Sequence, residues 1–370
     1  MLFITSHVFK QMNLLIKIII LIGILLASES LAQIEVQSFL EGARITDIKQ
    51  EGGYLWVATY GQGIYQYSLK DGKWTNYSSK TGNLENDLFH CVAASKDFVW
   101  AGASEGLFIY SKKTKKWTKR KFAQGGEFGN WIRSLKFDEK KNRLWIGRFR
   151  NVTVFDVKAN KFTDYNRVQD GDEKTNNFNT ISFEGDSVVW FGAESGVHKF
   201  LNKQKLDNKS AWSYFKNNGR NFNAEGTSVS VTDFVFMPKE IWFGTDEFVT
   251  KEQPDYNPGG IYIWDRKLKW DRISKANGIA GNGIYALART GNYIWAAVYE
   301  FKKNDKEEYG KGLFLINRIT KKVSPIDLAE LKLTTSNISA LFFDGVYLWI
   351  GSADGLIKLK VANSFAKLQK

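Results

Sequence analysis

The chain has 370 residues, 43% hydrophobic and 15% aromatic, which is enough for a large core and excludes a disordered chain. A single Cys excludes a disulfide-stapled fold, so stability must come from packing. The net charge of +13 allows anionic partners, and 32 Gly with 4 Pro suits many short strands joined by tight turns.

The first 32 residues read as a targeting segment and are set aside from the fold. Lys10 and Lys17 supply positive charge, 18–27 is an apolar or Gly run, and Ser30, Leu31 and Ala32 offer small residues at the cleavage positions. Met12 is an alternative initiator. The run is shorter than the ~20 residues a spanning helix needs. A signal peptide over 1–32 with a mature start at Gln33 is therefore expected, and with it an exported protein, periplasmic or secreted.

From Gln33 onward one pattern recurs. Trp56, Trp100, Trp145, Trp190, Trp242, Trp295 and Trp349 are spaced by 44, 45, 45, 52, 53 and 54 residues. Each copy has four pieces. A mostly apolar run comes first, at 44–50, 89–95, 132–138, 179–184, 231–237, 284–290 and 338–344. The Trp strand follows (YLWVAT, FVWAGA, RLWIGR, VVWFGA, EIWFGT, YIWAAV, YLWIGS), then a polar turn and a third strand such as GIYQYS or GLFIYS. A fourth aromatic strand closes most copies. Periods of this length match one four-stranded propeller blade.

Alternate residues of a strand face opposite sides. In the Trp strands both sides are apolar, so each must be covered twice, as in a blade between two neighbours. The residue two after each Trp is Gly or Ala, leaving room for the adjacent blade. The sequence thus predicts an all-β fold, a seven-bladed β-propeller of four-stranded blades, formed by 33–370 as one domain. The seventh blade lacks a clear fourth strand, and residues 34–40 are expected to supply it and close the ring. The rival is 363–368. The one helix-like stretch is 326–333. Two insertions, 246–258 and 299–311, lengthen blades five and six at equivalent positions and read as long loops side by side on one face.

The recurrent Leu-Trp-(Ile/Val)-Gly/Ala, then Gly-Leu/Ile, an aromatic, and Lys-Trp resembles the two-component regulator propeller repeat, over nearly the whole mature chain. That resemblance implies ligand sensing, often of carbohydrates. No transmembrane or kinase segment follows the seventh blade in this sequence, so a stand-alone exported binding module, acting as a monomer, is expected.

Candidate site residues are those where the copies disagree. Arg133, Arg148 and Arg150 cluster in blade three, beside Trp131; Arg forks suit carboxylate or phosphate groups and point to an acidic sugar. Asp246, Glu247, Tyr299 and Glu300 stand at the roots of the two insertions. Glu105, Glu194 and Asp354 occupy the matching short turns. His7, His90 and His198 have no acidic or Cys cluster around them, so no metal site is expected, and no cofactor motif is present. Cys91 reads as a small buried hydrophobe. The aromatics repeat with the blade, so nucleic acid is not expected as a partner. The function read from the sequence is a non-enzymatic exported propeller binding a protein or carbohydrate on its loop-rich face. The alternatives are a polysaccharide or cyclic-ester lyase using His90, Tyr285 and Glu300, and a periplasmic assembly scaffold.

Overall fold

The computed structural model describes residues 34–122 and 126–361. The expected signal segment and the rival strand 363–368 lie outside the described residues. Seven four-stranded antiparallel sheets are present, and each repeat forms one blade in chain order. The inner strands are Ile45–Glu51, Cys91–Ala94, Ile132–Asp138, Phe178–Glu184, Val231–Phe236, Gly283–Thr290 and Ile338–Phe343. In the seventh blade Val36–Phe39 pairs antiparallel with Gly355–Lys360, with Val36 opposite Leu359. The N-terminal strand therefore takes the outer place, and Ile45 and Leu55 of blade one share a core with Trp349 and Leu356 of blade seven.

All seven repeat Trp side chains are buried among the largest core residues. The Gly two places on marks where the next blade leans in. A Cβ on Gly102 would stand 2.6 Å from Ile132, one on Gly244 2.9 Å from Ile284, and one on Gly351 2.6 Å from Ile45. Each contact is with an aliphatic residue at or next to the start of the following inner strand. Trp and Gly together are a wedge and a notch for blade-on-blade packing, and the burial they produce is the main source of stability.

Two expectations need correction. Residues 326–333 form no helix; the segment after the short outer strand Val323–Pro325 is a turn. Among the described residues the helical turns are instead five short 3-10 segments in connections, for example Glu173–Asn176, whose Asp172 side chain accepts from the Lys174 backbone N–H. The insertion at 246–258 is a loop over 249–256 on a short extension of its strands, as expected, but 299–311 is not a loop. Ile241–Phe248 continues past the turn point and pairs with Asn257–Trp264, and Tyr293–Lys302 pairs with Glu307–Asn317. The second is a β-hairpin closed by a four-residue turn, the first a strand extension tipped by a longer loop, and Phe248 and Phe301 pack ring to ring at 4.9 Å between them.

Candidate functional site at the channel mouth

The inner strands share an irregularity that builds the site. In six blades the register between inner and Trp strands slips by one residue near the start, leaving Thr46, Arg133, Asn179, Thr232, Tyr285 and Ser339 as the extra residue. A bulge re-aims the side chain it carries. In blade two Cys91 pairs with Gly102, which places His90 at the equivalent position. All seven side chains line the mouth of a central cavity of about 320 Å³.

Four of the seven do the same job. Thr46 Oγ1 donates to the Phe89 carbonyl at 2.9 Å, Thr232 Oγ1 to Ile284 at 2.6 Å, and Ser339 Oγ to Ile45 at 2.5 Å. Asn179 Nδ2 reaches the Val231 carbonyl at 3.2 Å. Each small polar side chain thus seals the joint to the next blade. His90, Arg133 and Tyr285 depart from this pattern. They are large, and their polar partners lie among turn and hairpin residues: His90 Nε2 with Ser104 Oγ at 2.8 Å, Arg133 with Glu194 at 2.6 Å, and the Tyr285 hydroxyl donating to Glu308 at 2.6 Å.

Around these three the mouth divides into two sides. On blades one to three lies a row of rings. Tyr60 and His90 are 5.8 Å apart, His90 and Trp131 5.8 Å, Trp131 and Phe149 5.3 Å and parallel, and Phe149 and Phe128 5.4 Å. Tyr60 and Phe128 are exposed. The Arg44 guanidinium sits over Tyr60 at 5.3 Å, and Arg133 sits over Trp131 at 5.4 Å. Burial, then the positive charges of Arg133 and Arg44, pull the His90 pKa down to about 4, so the imidazole is neutral at pH 7. On blades five and six the character is acidic. Tyr285 stacks on Tyr299 at 4.2 Å, and the Tyr299 hydroxyl hydrogen-bonds Asp246. Burial is the main cause that pushes Asp246 up to about 6, opposed by the Tyr299 hydrogen bond and reinforced by the charge of Glu308. Tyr285 also lines a wider recess of about 560 Å³ with Arg44, Phe301 and Glu308.

The eight candidates from sequence are therefore separated by the fold. Trp131 and Arg133 sit in the ring row, and Asp246 and Tyr299 back the acidic side. Arg150 is exposed in the turn after the Trp strand of blade three. Three others have structural surroundings. Arg148 is fully buried, pairs with Asp164 at 2.9 Å and donates to the Gly129 carbonyl and Thr153 Oγ1. Glu247 is buried and accepts from the Phe301 N–H at 2.9 Å and from Asn282 Nδ2 at 3.2 Å, locking one hairpin to the other. Glu300 is held between Lys275 and Lys311 at 2.5 and 2.9 Å, and the hydrogen bonds from these two lysines keep its carboxyl down at about 2. His90 and Tyr285 share the cavity; Glu300 is not among the residues that line it. Arg44, Tyr60, Phe149 and Glu308 were missed as site residues. Aligning the seven copies on the position before the bulge partner would have singled out His90, Arg133 and Tyr285 as the large members, but the neighbours they meet come from other blades. Among the described residues no group of three or more His, Cys, Asp or Glu could hold a metal ion.

Fold and site define a seven-bladed β-propeller with an aromatic and charged mouth on the face that carries the raised hairpins. No family model matches the chain, and no curated protein matches its sequence. Solved structures with a similar fold include the extracellular domain of the putative hybrid two component system BT4673 from B. thetaiotaomicron, with a TM-score of 0.65 and 16% identity over 88% of this chain and 40% of that one. PorZ, an essential bacterial surface component of the type-IX secretion system of Porphyromonas gingivalis, gives 0.59 and 15% over 88% of this chain and 48% of its own. Virginiamycin B lyase from Staphylococcus aureus gives 0.59 and 14% over 88% and 99%. The chain thus spans less than half the length of the first two. At these identities the likeness is one of fold.

Proposed function

We propose that the protein is a non-enzymatic, exported propeller that binds a carbohydrate bearing acidic groups at the mouth on its hairpin-bearing face. The observation that carries this reading is the departure of His90, Arg133 and Tyr285 from the joint-sealing pattern of the other four mouth positions. None of the three donates to a backbone carbonyl of the next blade as the four small residues do; their polar tips turn to side chains of the turns and hairpins, which leaves bulky groups at the channel mouth for a ligand. The ring row offers flat apolar faces with Arg44 and Arg133 beside them, a combination that suits sugar rings carrying carboxylate or sulfate. The protein is taken to act as a monomer in the periplasm or outside the cell, after removal of 1–32, without a cofactor. The repeat-level resemblance to two-component regulator propellers and the fold likeness to the extracellular domain of a putative hybrid two component system support export and ligand sensing. No helix of the described residues is long and apolar enough to cross a membrane. The lyase reading has less support, because Glu300 is engaged by two lysines away from the cavity and His90 is a weak base with its pKa near 4.

The test is an array carrying polyuronates, sulfated polysaccharides and neutral glucans, probed with the wild-type protein and with Trp131→Ala. Retention of the acidic polymers, lost in the variant, is expected. Equal retention of neutral glucans, no retention of any glycan, or release of cleaved fragments would overturn the reading.

A further inference from the structure

We propose that the channel below the mouth holds a second site, which binds a small anion between Lys136 of blade three and Ser182 of blade four, with Lys49 of blade one facing it. This site is independent of the reading given for the mouth. Besides Arg133 at the mouth, four charged residues line the channel: Asp47, Lys49, Lys136 and Asp233. Three of them are satisfied by the protein. Asp47 accepts from Lys49 Nζ at 2.7 Å, from the Ile48 N–H at 2.9 Å and from the Val92 N–H of the next blade at 3.0 Å. Both Asp233 oxygens are held by backbone, from the Phe234 and Leu287 N–H groups, each at 2.8 Å. Lys49 is thus paired through Asp47.

Lys136 is the exception. Its ammonium lies 5.8 Å from the Phe183 ring, and among the described residues no hydrogen bond or ion pair reaches it. The nearest-level polar group is equally idle: Lys136 stands opposite Trp145 and Ser182 opposite Trp190, the same register level in adjacent blades, and the Ser182 hydroxyl makes no hydrogen bond among the described residues. Both line the cavity. An ammonium with three donors and a hydroxyl with one, at one level of a confined channel, present donors that no protein acceptor meets, and the carboxylates of Asp47 and Asp233, themselves already hydrogen-bonded, act on the ammonium only at longer range. Burial, followed by repulsion from Lys49, pulls the Lys136 pKa down to about 8 against the opposing attraction of Asp47 and Asp233, and a bound anion would offset that cost. The cavity volume of about 320 Å³ takes a carboxylate or an inorganic oxyanion and leaves no room for a polymer.

The test is thermal unfolding of the whole mature protein against sodium acetate and sodium phosphate in separate titrations, with ionic strength held by a bulky sulfonate. A saturable rise in the midpoint with at least one anion is expected for the wild type, and the two arms tell a carboxylate from an oxyanion. Lys136→Met should lose the saturable rise, Lys136→Arg should keep it, and the surface control Lys113→Met should keep it. Ser182→Ala should raise the half-saturating concentration by roughly two- to tenfold, the worth of one hydrogen bond. No saturable rise in the wild type, or an unchanged rise in both Lys136→Met and Ser182→Ala, would overturn the proposal. Neither result touches glycan retention at the mouth.

Discussion

The hydroxyl of Ser339 donates to the carbonyl of Ile45 at 2.5 Å, joining the last blade to the first across 294 positions of sequence. The outer strand of the last blade is also N-terminal, with Lys360 paired to Glu35 at 2.8 Å. Phe39 completes that joint: its ring meets Tyr67 at 5.5 Å, Trp74 at 5.6 Å and Trp349 at 6.1 Å. Phe39→Ala should cost about 2–3 kcal/mol, somewhat less than a fully buried Phe. Urea unfolding should show a lower midpoint with an unchanged slope. A loss below ~0.5 kcal/mol would mean that this joint contributes little.

The notch glycines differ in tolerance. A Cβ on Gly192 would stand 2.5 Å from the Val231 carbonyl oxygen, whereas on Gly147 the nearest atoms are at 3.3 Å. Gly192→Ala should therefore destabilise by roughly 1–3 kcal/mol through overpacking against backbone, and Gly147→Ala should be close to neutral. Differential scanning calorimetry of the two variants checks the order; the reverse order would contradict the wedge-and-notch account.

Arg148 and Arg150, two residues apart, should separate stability from surface. Arg148→Ala removes the partner of Asp164 and two further hydrogen bonds inside the blade, and should cost roughly 2–4 kcal/mol, discounted because Asp164 keeps some solvent. Arg150→Ala should leave the unfolding midpoint within experimental error. Chemical denaturation of both variants decides it.

The architecture was legible because it is written seven times. Trp at a regular period, a small residue two places on and a Gly at the next turn define the blade, and Val36–Phe39 was recognisable as a strand in need of a partner. The site was legible only in part. Trp131, Arg133, Asp246 and Tyr299 stood out as departures from the repeat, but so did Arg148 and Glu247, which the fold buries. A charged residue beside a turn looks the same in sequence whether its partner is Asp164, two strands further on in the same blade, or solvent. The hairpin at 299–311 reads as a loop because its strands, paired Phe301 to Glu308 and Lys302 to Glu307, are rich in charged residues and carry little apolar alternation.

His198 sets a pH dependence. It is buried, with its ring nitrogen Nε2 at 2.7 Å from the Thr175 carbonyl, so Nε2 carries the proton in the neutral ring. Burial pulls its pKa down to about 4 from 6.5. Between these values the unfolded chain binds a proton that the folded chain refuses, so stability falls as pH drops from 6.5 towards 4, by about 3 kcal/mol for this group at the lower end. His198→Gln keeps a donor and removes the titration. The stability difference between wild type and variant should shrink or change sign from pH 7 to pH 4; Asp233, which titrates in the opposite sense near 6, cancels in that difference. A difference independent of pH would show that His198 is not buried neutral.

The central claim is that the mouth residues which depart from the seal bind the ligand and those which keep it do not. The direct measurement is equilibrium binding of an immobilised polyuronate to wild type, Arg133→Ala and Thr232→Ala, each checked for an intact fold by circular dichroism. Loss of the Arg133 guanidinium should weaken binding by about ten- to a hundredfold, the worth of a charged hydrogen bond, while Thr232→Ala should bind as the wild type does and unfold at a lower temperature. Arg133→Ala that binds as tightly as the wild type, or Thr232→Ala that loses binding while folded, would contradict the account.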